Sequence, residues 1–149
     1  MKLHLEGSNV MNSSREKVYS LLTDPRFIAK TLPDAEEVHL IDDTSLEAKI
    51  RLRIAVVSTT MKMKMTVSSV GPPSKAAMTA EGAGSGSSLK ITSLFELSGD
   101  NPTSMNWSAD AEVTGVMAGI GSTLLKGFAT KKVTEIFSGI TKAIEASSD

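Results

Sequence analysis

Side chains able to do chemistry are few and scattered in this chain. Its two histidines, His4 and His39, both fall at outward positions of alternating segments, and two isolated imidazoles make a poor metal site. There is no cysteine, which excludes disulfides, thiolate ligands and Cys nucleophiles. Asp110 and Glu112 lie two apart on the polar face of one predicted strand. Paired carboxylates do acid–base work only when one is desolvated, and an outward face argues against that. No GxSxG nucleophile motif occurs, since Gly84-Ser85-Gly86 lacks its spacing. The glycines of 82–86 do not form a GxGxxG opening a helix, so a dinucleotide fingerprint is unsupported. Neither a catalytic set nor a metal or cofactor site is expected.

Three other patterns suit binding. Ile50, Leu52, Ile54, Met61, Met63 and Met65 fall on one face of two alternating segments. Unbranched thioethers fill irregular space and repack around varied shapes, so this row is either an ordinary core or the lining of a cavity. The opposite face carries Lys49, Arg51, Arg53, Lys62 and Lys64. If the segments pair antiparallel, these like charges repel by a few tenths to about 1 kcal/mol unless acids intervene. That face is either solvated and partly compensated, as by Glu47, or a basic patch for anionic lipid or an acidic partner. Lastly, Gly115, Gly119, Gly121 and Gly127 cluster in a helical stretch. Each costs a helix about 1 kcal/mol relative to Ala, which suggests close packing or space for a ligand, with 82–88 as the facing rim.

The elements that must position these residues follow from periodicity. Leu3 and Leu5 alternate with Lys2, His4 and Glu6 in a first strand over 2–12. Asn12-Ser13-Ser14 offers an N-cap, Glu16 suits a first turn, and Val18, Leu21 and Leu22 give a short helix its apolar side. Asp24-Pro25 starts a second helix with Phe27, Ile28 and Leu32 as its buried contacts, and Pro33-Asp34 ends it. From about residue 35 the period changes to two. Segments around 38–41, 46–54, 61–69, 78–80, 89–97 and 105–113 read as strands, broken at Asp42-Asp43, Gly71-Pro72-Pro73, a flexible turn or bulge at 82–87, and Gly99 to Pro102.

The final quarter, 115–147, returns to helical spacing. Val116, Ile120, Leu124 and Phe128 form one row, which Ile136, Ile140 and Ile144 continue. With Thr114 as N-cap, roughly 30 residues at 1.5 Å each predict a rod of about 45 Å. The order is one strand, two short helices, about six antiparallel strands and one long helix. A sheet alternating so cleanly has one buried face, which only the helices can cover. The prediction is a single α+β domain over 1–149, with a curved antiparallel sheet of about seven strands around a long C-terminal helix.

Bulk composition agrees. The 149 residues suit one domain. A net charge of −1 gives no global field for nucleic acid, and the basic residues alternate with aliphatics rather than aromatics. Aromatics are only 4% against eight Met, so the interior is aliphatic and thioether. No signal-peptide run or transmembrane stretch is evident, and a cytoplasmic protein is the expectation.

Taken together, Asp24-Pro25, Leu32-Pro33, the 84–97 strand and above all Asp110-Ala111-Glu112-Val113-Thr114-Gly115 followed by Met117-Ala118-Gly119-Ile120-Gly121 resemble the G-subunit family of carbon monoxide dehydrogenase. This family belongs to the START and pollen-allergen-like helix-grip superfamily, which includes polyketide cyclases. The resemblance covers nearly the whole chain. It departs at Tyr19, where the family often has Trp, and at Pro33-Asp34, where it often has Pro-Gly. The resemblance implies a helix-grip fold with an apolar ligand between helix and sheet. It also implies an accessory role beside a molybdenum hydroxylase of the carbon monoxide dehydrogenase type. That role would be peripheral recruitment to the inner membrane face, or handling of a lipophile such as a lipid or quinone.

The leading expectation is therefore a non-catalytic binding module. Its cavity is expected between Met117, Ile120, Leu124 and Phe128 of the helix and Leu52, Met63, Met78, Phe95 and Trp107 of the sheet. A small-molecule cyclase or hydrolase using the same pocket ranks second, because the inward rows supply little polar chemistry beyond Ser93. A protein–protein adaptor with a filled core ranks third.

Overall fold

The computed structural model describes residues 1–32, 34–54 and 56–147; Pro33, expected to help end the second helix, lies outside them. The strands are β1 (Lys2–Met11), β2 (Ala35–Leu40), β3 (Ser45–Ile54), β4 (Val57–Gly71), β5 (Lys75–Gly84), β6 (Ser87–Gly99) and β7 (Thr103–Gly115). They form one antiparallel sheet in the order β1-β7-β6-β5-β4-β3-β2. The chain leaves β1, crosses to the opposite edge through α1 (Arg15–Leu22) and α2 (Pro25–Thr31), and meanders back until β7 pairs with β1. That crossover lays two helices over one end of the sheet.

Local chemistry sets the helix boundaries. The Ser14 side chain accepts from the Lys17 N–H at 3.3 Å, and the Asp24 carboxylate accepts from the Arg26 N–H at 3.0 Å. Each satisfies one of the donors that a helix start leaves unpaired. Pro25 stands at the first position of α2, where its missing N–H costs nothing.

Two expectations change. The turn expected over 82–87 is narrower than its Gly/Ser run suggests: β5 continues to Gly84, β6 begins at Ser87, and Ser85 and Gly86 alone turn. Both have positive φ, 51° and 77°, as a tight two-residue hairpin turn requires. The long helix also starts later than its apolar spacing suggests. Residues Val116–Ile120 form a 3-10 turn, and α3 runs Ser122–Ala146, 25 residues, or about 37 Å. Gly115 and Gly121, at φ 85° and 102°, redirect the backbone on either side of the turn. A Cβ on Gly115 would stand 2.0 Å from the Gly86 carbonyl oxygen, so the two hairpin ends meet there backbone to backbone. Thr114 is consequently the penultimate residue of β7, its hydroxyl paired with that of Ser88, and Gly121 caps α3 without a side chain.

The inward row of the sheet packs as two separate cores. One joins Met11, Val18, Leu22, Ile28, Phe95, Met105, Phe137 and Ile144 beneath α1, α2 and the C-terminal half of α3. The other joins Ile54, Met61, Met63, Ala80, Val113, Met117 and Leu125 at the opposite end. Between Leu125 and Phe137, three turns of α3, no side chain is fully buried. The helix is anchored at both ends and spans a gap in the middle.

Candidate functional site: an apolar pocket beneath the long helix

That gap is a pocket of about 280 Å³, bordered by residues of both cores. Its floor is the alternating inner row of β3 to β7, and its roof is Phe128, Ala129, Val133 and Ile136 of α3. Register explains why the floor is apolar throughout. Met63 faces Gly82, Met65 faces Ala80, Ala80 faces Ile91 and Phe95 faces Trp107 across successive strands. One inward side chain per strand repeats at each level, because residues two apart share a face. The small members of these rows, Ala80, Ala109 and Ala111, leave the space that the methionines only partly fill.

An aromatic group walls one side. Phe137 lies 5.0 Å from Trp107 and 6.0 Å from Phe95, centroid to centroid, the latter edge-on at 78°. Trp107 sits opposite Gly7 on β1, and a Cβ there would come within 2.7 Å of the indole. Gly7 thus makes the room in which the indole lies. Trp107, Val133 and Phe137 also border a second, more polar cleft of about 540 Å³ between β1 and α3. The indole Nε1 has no hydrogen-bond partner among the described residues.

Among the described residues, the polar side chains lining the pocket are Asp34, Ser93 and Lys132, besides the Trp107 ring. Lys132 on α3 bonds the Asp34 carboxylate at 2.5 Å, has Glu135 at 3.4 Å, and stands 5.8 Å over the Phe128 ring. Both partners remain partly exposed while lining the pocket, so the pair marks its opening between α3 and the turn before β2. The Asp34 hydrogen bond holds the Lys132 ammonium above its ordinary pKa against some desolvation, and Glu135 adds to this. Asp34 is itself fixed at a positive φ of 59°, with its carbonyl accepting from the Arg51 N–H.

Of the side chains singled out from sequence, Leu52, Met63, Met78, Phe95, Trp107, Met117 and Phe128 line this pocket. Ile120 packs beside the second core without reaching the pocket, and Leu124 is 55% exposed, one position away from buried Leu125. Val116, from the same row, is 58% exposed. A Cβ on Gly119, Gly121 or Gly127 would meet nothing within 4 Å, so close packing does not explain those glycines. Sequence reasoning missed Lys132 and Asp34, which lie 98 positions apart and meet only once α3 crosses the turn.

The basic row on the outer face is largely matched. Lys49 pairs with Glu37 at 3.0 Å, Arg51 with Glu36 at 3.2 Å and Lys62 with Glu47 at 3.9 Å. Lys49 does stand opposite Lys62 in register, while Lys64 lies between Glu47 and Glu81. Arg53 and Lys64 have no ion-pair partner among the described residues. On the far side, His4 Nδ1 meets Asp110 at 2.7 Å and Nε2 meets Glu6 at 3.1 Å. Among the described residues no group of three His, Cys, Asp or Glu could hold a metal, and no helix is long and apolar enough to cross a membrane.

This architecture is shared with known structures. A conserved protein from Geobacillus kaustophilus superposes with a TM-score of 0.85 and 26% identity over 95% of each chain. A START superfamily protein from Mycobacterium smegmatis gives 0.71 and 13%, covering 95% of this chain and 97% of the other. The Zhui aromatase/cyclase from Streptomyces gives 0.67 and 10%, covering 97% and 94%. The fold is therefore the helix-grip fold of START-like and polyketide cyclase-like proteins. No curated protein sequence matches the chain. Residues 7–145 match the CoxG family, described as the G-subunit of carbon monoxide dehydrogenase, and the chain belongs to that family.

Proposed function

We propose that this protein is a non-catalytic carrier of a lipophilic small molecule, of the lipid or quinone class, held between α3 and the sheet. The observation that carries the reading is the pocket itself: a space of about 280 Å³ whose walls are almost wholly aliphatic, thioether and aromatic. A void of that size costs packing energy unless something occupies it. Its volume stands near the lower end of small-molecule sites, about 300–1,000 Å³. Family membership adds the setting, an accessory role beside a molybdenum hydroxylase of the carbon monoxide dehydrogenase type. Contact with anionic lipid falls in this reading to the outer face of β3 and β4 around Arg53 and Lys64. It is weak, because the neighbouring cations are matched by acids. Reversal of Lys64 to Glu then lowers sedimentation with anionic vesicles, and unchanged sedimentation removes that face from the account.

A cyclase or hydrolase reading draws on the likeness to the Zhui aromatase/cyclase and on Asp34 and Lys132 at the pocket opening. Those two groups neutralise one another, which leaves neither poised as a free acid or base. The test is uptake of a fluorescent apolar probe by the wild type and by Ala109→Phe, whose ring would fill the pocket. The carrier reading predicts uptake that Ala109→Phe abolishes while the protein stays folded; uptake indifferent to the substitution contradicts it.

A further inference from the structure

Ser93 is the one aliphatic hydroxyl on the pocket floor. It lies at the middle of β6, opposite Met78 on one side and Ala109 on the other, with Ile91 and Phe95 two positions away on the same face. The residue is 8% exposed, and its hydroxyl bonds no group among the described residues. Elsewhere Thr103 donates to the Ser13 carbonyl and Ser87 accepts from the Met117 N–H, while Thr59 and Thr141, buried without a partner among the described residues, lie outside this pocket's lining. A buried donor is normally satisfied, and one left open inside an apolar wall calls for a partner from elsewhere. Alanine at this position would complete an apolar floor with no loss of protein contacts.

Resting on the carrier reading, we infer that Ser93 is a specificity-determining residue, and that the pocket takes an apolar molecule bearing one uncharged oxygen acceptor, such as a carbonyl, within its body. The serine O–H donates to that oxygen while the rest of the molecule lies against methionine, leucine and aromatic side chains. An ionised head group does not fit at Ser93: a single hydroxyl cannot replace the hydration of a charge among such neighbours. A plain hydrocarbon fits the walls and leaves the hydroxyl unanswered. Trp107, two positions along on the neighbouring strand, lines the same pocket. It is also the only tryptophan, so its emission reports occupancy directly.

The experiment titrates nonane and its mid-chain ketone, dibutyl ketone, into the full chain and into Ser93→Ala, following Trp107 emission and confirming by calorimetry. The expected result is that Ser93→Ala weakens the ketone roughly tenfold, the factor of one lost hydrogen bond, and binds nonane at least as well as the wild type. An equal ketone-to-nonane ratio in the two proteins overturns the role of Ser93 and leaves the carrier reading standing. Failure of the wild type to bind either probe overturns the carrier reading, and this inference with it. Because the hydroxyl has no partner among the described residues, Ser93→Ala should keep the thermal stability of the wild type, so a folding defect in it also counts against the assignment.

Discussion

Lys132 reaches from the middle of α3 to Asp34 in the turn before β2, Nζ to Oδ2 2.5 Å, and so ties the part of the helix that roofs the pocket to the sheet's far edge. The fully buried side chains of α3 are Leu125 and then Phe137, Ile140 and Ile144, and this ion pair lies at the pocket opening between those two groups. Its raised lysine pKa fixes the sign of its pH dependence. The contribution to stability is complete below lysine's ordinary pKa, about 10.4, and is lost as the pH rises through the raised value. Lys132→Gln should therefore unfold at a lower temperature than the wild type at pH 8, with the gap closing at strongly alkaline pH. A gap that persists there would mean that Lys132 acts through packing.

His4 makes a second pH-dependent contact. Both ring nitrogens face carboxylates, Asp110 foremost and Glu6 second, an arrangement that satisfies both only when the imidazole is doubly protonated. Its pKa is raised accordingly. The stabilisation is complete below histidine's ordinary value, about 6.5, and disappears as the pH rises through the raised one. An NMR titration of His4 should show a midpoint above that of His4 in the Asp110→Asn variant. Identical midpoints would contradict the contact.

Leu124 and Leu125 are neighbours with opposite fates, one exposed and one buried. Leu125→Ala should destabilise by about 2–5 kcal/mol, while Leu124→Ala should stay within about 0.5 kcal/mol. Denaturant unfolding of the pair decides the matter, and similar losses would place the helix face incorrectly.

Gly7→Ala should disturb the aromatic wall at a distance from the pocket floor. The added methyl would enter the space of the Trp107 indole, at a cost of about 1–3 kcal/mol for overpacking. A changed Trp107 emission maximum accompanied by lowered stability is the expected pair of observations. An unchanged spectrum would show that the indole does not rest on Gly7.

The sheet was legible in the sequence because alternation is a local signal. The runs 46–54 and 61–65 announce which side chains face inward, and pairing adds only which neighbour each one meets. The helix start was not legible, because Val116, Ile120 and Leu124 keep helical spacing through a segment that is not α-helical. Two glycines at positive φ, Gly115 and Gly121, decide the boundary, and spacing does not encode φ. For the site, seven floor and roof residues could be chosen from periodicity, whereas the Lys132–Asp34 pair and the seating of Trp107 over Gly7 depend on contacts between distant segments. The matched charges on β2 and β3 were hidden for the same reason. Glu36 and Glu37 belong to a strand whose register is shifted between Glu36 and His39.

The central claim is that the pocket beneath α3 carries a lipophilic molecule, and native mass spectrometry of the purified protein, paired with analysis of its organic extract, tests it most directly. The account predicts an added mass that disappears on denaturation and a matching lipid or quinone in the extract. An apo mass that stays unchanged after incubation with quinones and fatty acids would contradict it.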